Sequence, residues 1–166
     1  VRVPDPVGEG LIATLDRPIS NITGFTSHEP TIGRKWLGLL NEMAPGVNRV
    51  VVLGGRFASR GYLHRMEAMA SSVGLKLTPA SAKDPGEIEH AIDLLAREPN
   101  PGLIVLSSVD TMTNHIQIIQ LAARYRLPAV YPHRRFAAWG GLISYGIDTA
   151  YLYREAAFYA DRILKG

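Results

Sequence analysis

Cysteine is absent from the 166 residues. Disulfides, thiolate metal sites and cysteine nucleophiles are therefore excluded from this chain, and a cysteine-free composition suits an oxidising compartment. Long apolar runs are absent as well: no stretch approaches the about 18 consecutive apolar residues that cross a bilayer as a helix. Charge of one sign is nearly balanced, with 18 basic against 15 acidic residues. The basic residues are scattered, at Arg34-Lys35, Arg124, Arg126 and Arg134-Arg135. No block of five or more occurs, so no nucleic-acid partner is expected. Phosphate loops are missing too. There is no G-x-x-x-x-G-K-S/T stretch, and Gly8-Glu9-Gly10 lacks the third glycine and the preceding strand of a dinucleotide fingerprint. No G-x-S-x-G elbow surrounds Ser107 or Ser144. The five histidines, at 28, 64, 90, 115 and 133, show no H-x-x-x-H pairing. No nucleophile stands beside a base, so no catalytic residue, metal or cofactor is expected.

What is present is an apolar content of 46% with 20% charged residues, enough for a real core. Arg49-Val50-Val51-Val52-Leu53 is a continuous apolar run closed by Gly54-Gly55. Leu103-Ile104-Val105-Leu106 is another, closed by Ser107-Ser108. Such runs mark strands covered on both faces, as in a parallel sheet. Weaker strand patterns are 75–78, 128–131 and 142–145. Helical spacing of apolar residues predicts helices over 32–43, 61–73, 111–126 and 150–165, with a short one at 10–15. Asp84-Pro85-Gly86-Glu87 predicts a capped helix start. The order is strand, helix, strand, helix, strand, helix, strand. The fold class expected is α/β, a doubly wound, mostly parallel sheet flanked by helices. Its ligands belong outside the carboxyl ends of the strands, at 54–57, 80–81, 107–110 and 132–136.

Several residues there have two readings. Ser107, Ser108 and Asp110 end a buried strand and precede a helix; Ser108 or Asp110 caps that helix, or Asp110 takes a ligand ammonium while the hydroxyls or the helix N–H groups hold a carboxylate, and the two roles are compatible. Phe57 and Tyr131 are core residues or pack on an apolar ligand. The opening residues 1–6 read as the interior of a protein, with preceding sequence missing.

Three further stretches carry a resemblance: Asp5-Pro6-Val7-Gly8-Glu9-Gly10-Leu11-Ile12-Ala13-Thr14-Leu15 with Asn21-Ile22-Thr23-Gly24; Leu39-Leu40-Asn41-Glu42-Met43-Ala44-Pro45-Gly46-Val47 leading into the first apolar run; and Arg126-Leu127-Pro128-Ala129-Val130-Tyr131-Pro132 through Gly140-Gly141-Leu142-Ile143-Ser144-Tyr145-Gly146 to Asp161-Arg162-Ile163-Leu164-Lys165-Gly166. This ordered set resembles the ABC-transporter solute-binding proteins of tryptophan/tyrosine type, across nearly the whole chain. The resemblance implies the type I periplasmic binding protein plan of two α/β lobes. Residues 1–24 would be a crossover and remnant of the first lobe, 25–137 the second lobe, and 138–166 a return to the first. It implies a small-molecule ligand, an amino acid or related molecule, captured between lobes, and a membrane permease as partner. It also implies a periplasmic or extracellular location and no enzymatic activity. Arg134 would bridge the lobes or face an anion, or stand exposed without a role, and Tyr145 at a crossover would line the cleft. Gly24 and Gly146 would serve hinge geometry. The aromatics of the last helix, Tyr151, Tyr153, Phe158 and Tyr159, would lie exposed and favour a dimer. The chain departs from the family at Pro18-Ile19-Ser20-Asn21, Gly54-Gly55-Arg56-Phe57 and Arg134-Arg135-Phe136, so the ligand's identity is not carried over. The same fold as a sensory domain of a membrane signalling protein is the alternative, and an α/β enzyme a third reading.

Overall fold

The two apolar runs become neighbouring parallel strands in the computed structural model, which describes residues 2–3, 6–7, 10–14, 23–26, 30–54 and 60–166. In chain order the elements are β1 (Arg2–Val3), β2 (Phe25–Thr26), α1 (Pro30–Met43), β3 (Arg49–Gly54), α2 (Arg60–Ser71), β4 (Lys76–Ser81), α3 (Pro85–Ala96), β5 (Pro101–Val105), α4 (Val109–Thr113), α5 (His115–Arg124), β6 (Ala129–Tyr131), α6 (Arg134–Ala138), β7 (Ile143–Ser144) and α7 (Thr149–Lys165). They fall into two units, residues 30–146 and residues 1–29 with 147–166.

The larger unit is the doubly wound sheet. Its five strands are parallel in the order β4-β3-β5-β6-β7. Val51 pairs with Leu103 and Leu53 with Val105. Because successive strand residues point to opposite faces, Val51, Leu53, Leu103 and Val105 share one face. They pack with Ile88, Ile92 and Leu95 of α3 and Ile118 of α5 in one cluster. Val50, Val52 and Ile104 are equally buried and point to the other face. Gly102 lies on that same face and meets Leu40 of α1. Asp84 caps α3 by accepting from the Glu87 backbone N–H at 2.9 Å, with Pro85 as the first helical residue.

Three expectations about elements are corrected. The helix expected over 111–126 is two helices broken at Asn114, whose Nδ2 donates to the carbonyls of Asp110 (3.0 Å) and Ala82 (3.4 Å). That pair of bonds ties the break to the end of β4 and turns the backbone out of helical geometry. The helix expected over 10–15 is a set of turns at 10–14, closed by Leu11 N–H on the Pro6 carbonyl at 2.9 Å. Gly10 has φ +70° there, which a right-handed helix does not tolerate; Leu15 is outside the described residues. The short helix α6 was not expected at all.

The two units divide at 29/30 and 146/147. β7 pairs with β6, Val130 opposite Ile143, which joins it to the sheet of the larger unit.

In the smaller unit β1 pairs in parallel with β2, and Phe25 meets Tyr159 of α7 edge-on at 5.5 Å between ring centroids. Asp148 caps α7 on the N–H groups of Ala150 and Tyr151. No residue of α7 is buried, and Tyr151, Tyr153, Phe158 and Tyr159 are all exposed. No described helix is long and apolar enough to cross a membrane.

The close approach of α1 to β5 depends on Gly102. A Cβ there would lie 2.8 Å from Leu40 Cδ2 and 2.9 Å from Val47 Cγ1, both side chains buried. Gly102→Ala is expected to overpack this face at a cost of about 1–3 kcal/mol. Urea unfolding should show a lower midpoint with an unchanged slope.

Candidate functional site

The chain leaves β3 toward β4 on one side and comes back to β5 on the other. In such a sheet the ligand crevice opens between the carboxyl ends of the two strands where the winding reverses. The segment after β5 supplies the polar groups of this edge. Leu106 is buried and donates its N–H to the Leu53 carbonyl at 2.8 Å, so the strand geometry runs on past Val105.

Ser107 and Ser108 then divide. Ser108 is the N-cap of α4: its Oγ accepts from Thr111 N–H at 3.0 Å, and its own N–H donates to Thr111 Oγ1 at 3.1 Å. Thr111 is fully buried and its hydroxyl also lies 2.7 Å from the Leu106 carbonyl, to which it donates. Ser108 is thus committed to the turn, the capping alternative foreseen from the sequence. Ser107 is not in that box. Its Oγ lies 2.7 Å from Nε2 of His133, in a half-buried setting. Asp110, the second residue of α4, is half-buried, and its carbonyl accepts from Asn114 N–H at 3.0 Å.

His133 went unnoticed because no local motif contains it. The signal lies in the strand register. β5 and β6 pair with an offset of 26 residues, Leu103 opposite Ala129 and Ile104 opposite Val130, and the same offset carried past the strand ends sets Ser107 opposite His133.

The other candidates are placed as follows. Tyr131 ends β6 and is only 1% exposed, its ring stacked on Phe136 at 5.2 Å and 16°. Of its two readings the structure gives the core position, and burial pushes its phenol up to about 12. Arg134 is the first residue of α6 and is exposed. Tyr145 has an exposed side chain on a fixed backbone: its N–H donates to the Tyr131 carbonyl at 3.0 Å, and its carbonyl accepts from Trp36 Nε1 at 2.7 Å. Phe57 lies outside the described residues, as does Arg56. Gly146 is a matter of backbone geometry, since a Cβ there would collide with the carbonyl oxygen of Pro132.

Aromatic packing holds α6 in place beneath this edge. His115 stacks on Trp139 with centroids 3.9 Å apart, Arg135 lies over Trp139 at 4.9 Å, and His115 Nδ1 donates to the Met112 carbonyl at 2.7 Å. No group of three or more histidine, aspartate or glutamate side chains placed to hold a metal occurs among the described residues. An open groove of about 440 Å³ lies elsewhere, where the end of α1 and the start of β6 meet. It is lined by Met43, Ile119, Ala122, Ala129 and Leu142 with Arg126 as its single charged residue. It is largely apolar, whereas Ser107, Asp110 and His133 lie past the carboxyl ends of β5 and β6.

The family model described as ABC transporter substrate binding protein matches residues 1–166. No curated protein matches. Among solved structures, an ABC domain from Streptococcus pneumoniae in complex with L-Trp is similar at 20% identity with a TM-score of 0.85, over 99% of this chain and 57% of that one. A conserved domain protein from Vibrio cholerae is similar at 23% identity and TM-score 0.85, over 99% of this chain and 55% of that one. A substrate-binding protein with adhesive properties from Clostridium difficile, in its ligand-free, open form, is similar at 23% identity and TM-score 0.70, over 99% and 56%. The chain therefore spans a little over half the length of these structures, and their likeness shows the fold.

Two outcomes are expected from this geometry. Thr111→Val removes the buried hydroxyl that joins Leu106, Ser108 and α4, and should cost about 1–3 kcal/mol in urea unfolding. That exceeds the roughly 1 kcal/mol of a lost cap expected for Ser108→Ala. Tyr131, with its ordinary value of 10.0 raised to about 12 in the folded chain, favours the folded state through its neutral phenol. That contribution is complete below pH 10 and is lost as pH rises through about 12. Melting temperatures followed across this window should fall more steeply in the native chain than in Tyr131→Phe.

Proposed function

This chain belongs to the ABC transporter substrate-binding protein family, and from that premise we propose that its sheet unit is one lobe of an extracytoplasmic protein that captures a small ligand for a membrane permease. The observation that carries this reading is the family match along all 166 residues. The position of Ser107, Asp110 and His133 past the carboxyl ends of β5 and β6 supports the reading, because ligands of such sheets bind there. Ligand capture of this sort works by differential contact: a solute that touches both lobes in the closed form and one in the open form shifts the population toward closure.

In this reading Ser107, Asp110, Arg134, Tyr145 and Phe57 face the ligand. Asp110 takes a cationic group, and Tyr145 and Phe57 pack against an apolar part. Ser108 holds the turn that presents Ser107, and Tyr131 supports the edge from the core. The ligand is an amino acid or a related molecule. The complex of the Streptococcus pneumoniae domain with L-Trp supports that class. The protein binds and releases its ligand unchanged. Self-association of the 166-residue chain through the exposed aromatic face of α7 belongs to the same reading.

The test is a thermal-shift screen of the full-length gene product beside this 166-residue chain, against amino acids, small peptides, sugars and purines. A ligand at about 100 times its dissociation constant adds about 2.7 kcal/mol to stability, which a melting curve resolves readily. A shift in the full-length product that is weak or missing in the 166-residue chain is the expected result. If no compound shifts the full-length product, solute capture is the wrong reading.

A further inference from the structure

The apolar groove at the amino end of β6 carries a residue that the fold alone does not call for. Arg126 is the single charge in a lining otherwise made of apolar side chains and glycine, with Met43, Ile119 and Leu142 as its larger walls. It follows α5 as the residue just past the helix end. There Arg126 N–H donates to the Ala123 carbonyl at 3.1 Å, and Leu127 N–H donates to the Ala122 carbonyl at 2.9 Å. That pair of bonds closes a helix with its next residue in the left-handed conformation, a position usually given to glycine. Arg126 has φ +52°, so a side chain is kept where the backbone would be less strained without one. Complementing the helix dipole does not require it, because Arg124 already stands in the last turn. Arg126 is exposed and makes no ion pair with a described residue. Strain retained at the rim of a concavity is a reason to look for a ligand there.

The chemistry of the groove limits that ligand. Its volume of about 440 Å³ is within the range of small-molecule sites, which pair apolar walls with a few orienting polar groups. Here the orienting group is a guanidinium, which matches a carboxylate with two parallel hydrogen bonds. No carboxylate is in the lining to compete for it. We propose that this groove is a second binding site, for a small amphipathic carboxylate whose apolar chain lies along Met43, Ile119 and Leu142 and whose head pairs with Arg126. The lining residues all belong to the larger unit. The site is separate from the carboxyl ends of the strands and goes beyond the solute-capture reading.

The experiment is a calorimetric titration of the full-length gene product, and of the 166-residue chain beside it, with octanoate, octanol, octylamine and acetate. Native protein, Arg126→Gln, Arg126→Gly and Ala123→Trp are compared. A charge-assisted hydrogen bond at a partly open site is worth about fivefold or more in affinity. Octanoate should bind both native chains, with octanol, octylamine and acetate each weaker by about fivefold or more. In Arg126→Gln octanoate should fall to the level of octanol, while octanol itself is unchanged. Ala123 is exposed and lines the groove, so Ala123→Trp should obstruct it and weaken octanoate and octanol alike. Arg126→Gly is the control on folding: freed of left-handed strain, it should unfold at an equal or higher urea midpoint and lose the preference for octanoate as fully as Arg126→Gln. If octanoate fails to bind the native full-length product, or binds the 166-residue chain alone, the proposal is overturned. Equal binding of octanoate and octanol overturns it as well. So does octanoate binding that survives both Arg126→Gln and Ala123→Trp, which places it elsewhere on the protein. Arg126→Gly with a lower midpoint and an intact preference would leave Arg126 to the helix end alone. Solute capture at the other end of the strands is untouched by any of these results.

Discussion

Two-sided burial of β3 and β5 is the constraint on which the rest of this structure depends. Val50 to Leu53 and Leu103 to Val105 are all buried, most of them completely. Each such side chain contributes about 1.5–3 kcal/mol when removed from water, and a strand that is apolar on both faces obtains this only between two layers of helices. Helices on both faces in turn require crossover connections, and crossover connections make the strands parallel. Parallel strands end on one edge. The polar residues that follow β5 and β6 are therefore gathered in one place by a purely hydrophobic requirement.

That requirement is also what could be read without coordinates. The two continuous apolar runs, the Asp84-Pro85 helix start and the strand–helix alternation each have a local physical cause, and each appears as expected. The failures have causes that are not local. Asn114 breaks a helical pattern that is otherwise continuous, because its side chain finds a carbonyl 32 residues away at Ala82. The turn at 10–14 defeats a short apolar pattern through the backbone angle of one glycine. Five-residue α6 is fixed by ring contacts, Phe136 stacked on Tyr131 and edge-on to His115 and Trp139, contacts that no periodicity announces. At the candidate site the sequence pointed to the end of β5 and weighed the cap against the ligand role. It could not separate Ser107 from Ser108, because that distinction depends on where the Thr111 hydroxyl is held.

The separation of those two serines follows from the alternation of the strand itself. Consecutive residues leaving β5 point to opposite sides, so one hydroxyl can close the turn into α4 while the other cannot join it. Which serine does which is decided by the register of β5 in the sheet, and that register is not free to drift. A slip of one residue would turn Leu103 and Val105 out of the α3 and α5 cluster and invert every side chain of the strand. The same slip would carry Ser107 away from His133. The 2.7 Å contact between them is thus maintained by apolar side chains that touch neither residue. An edge built this way needs no rigid network of its own polar groups, because the packing of the sheet already fixes where they stand.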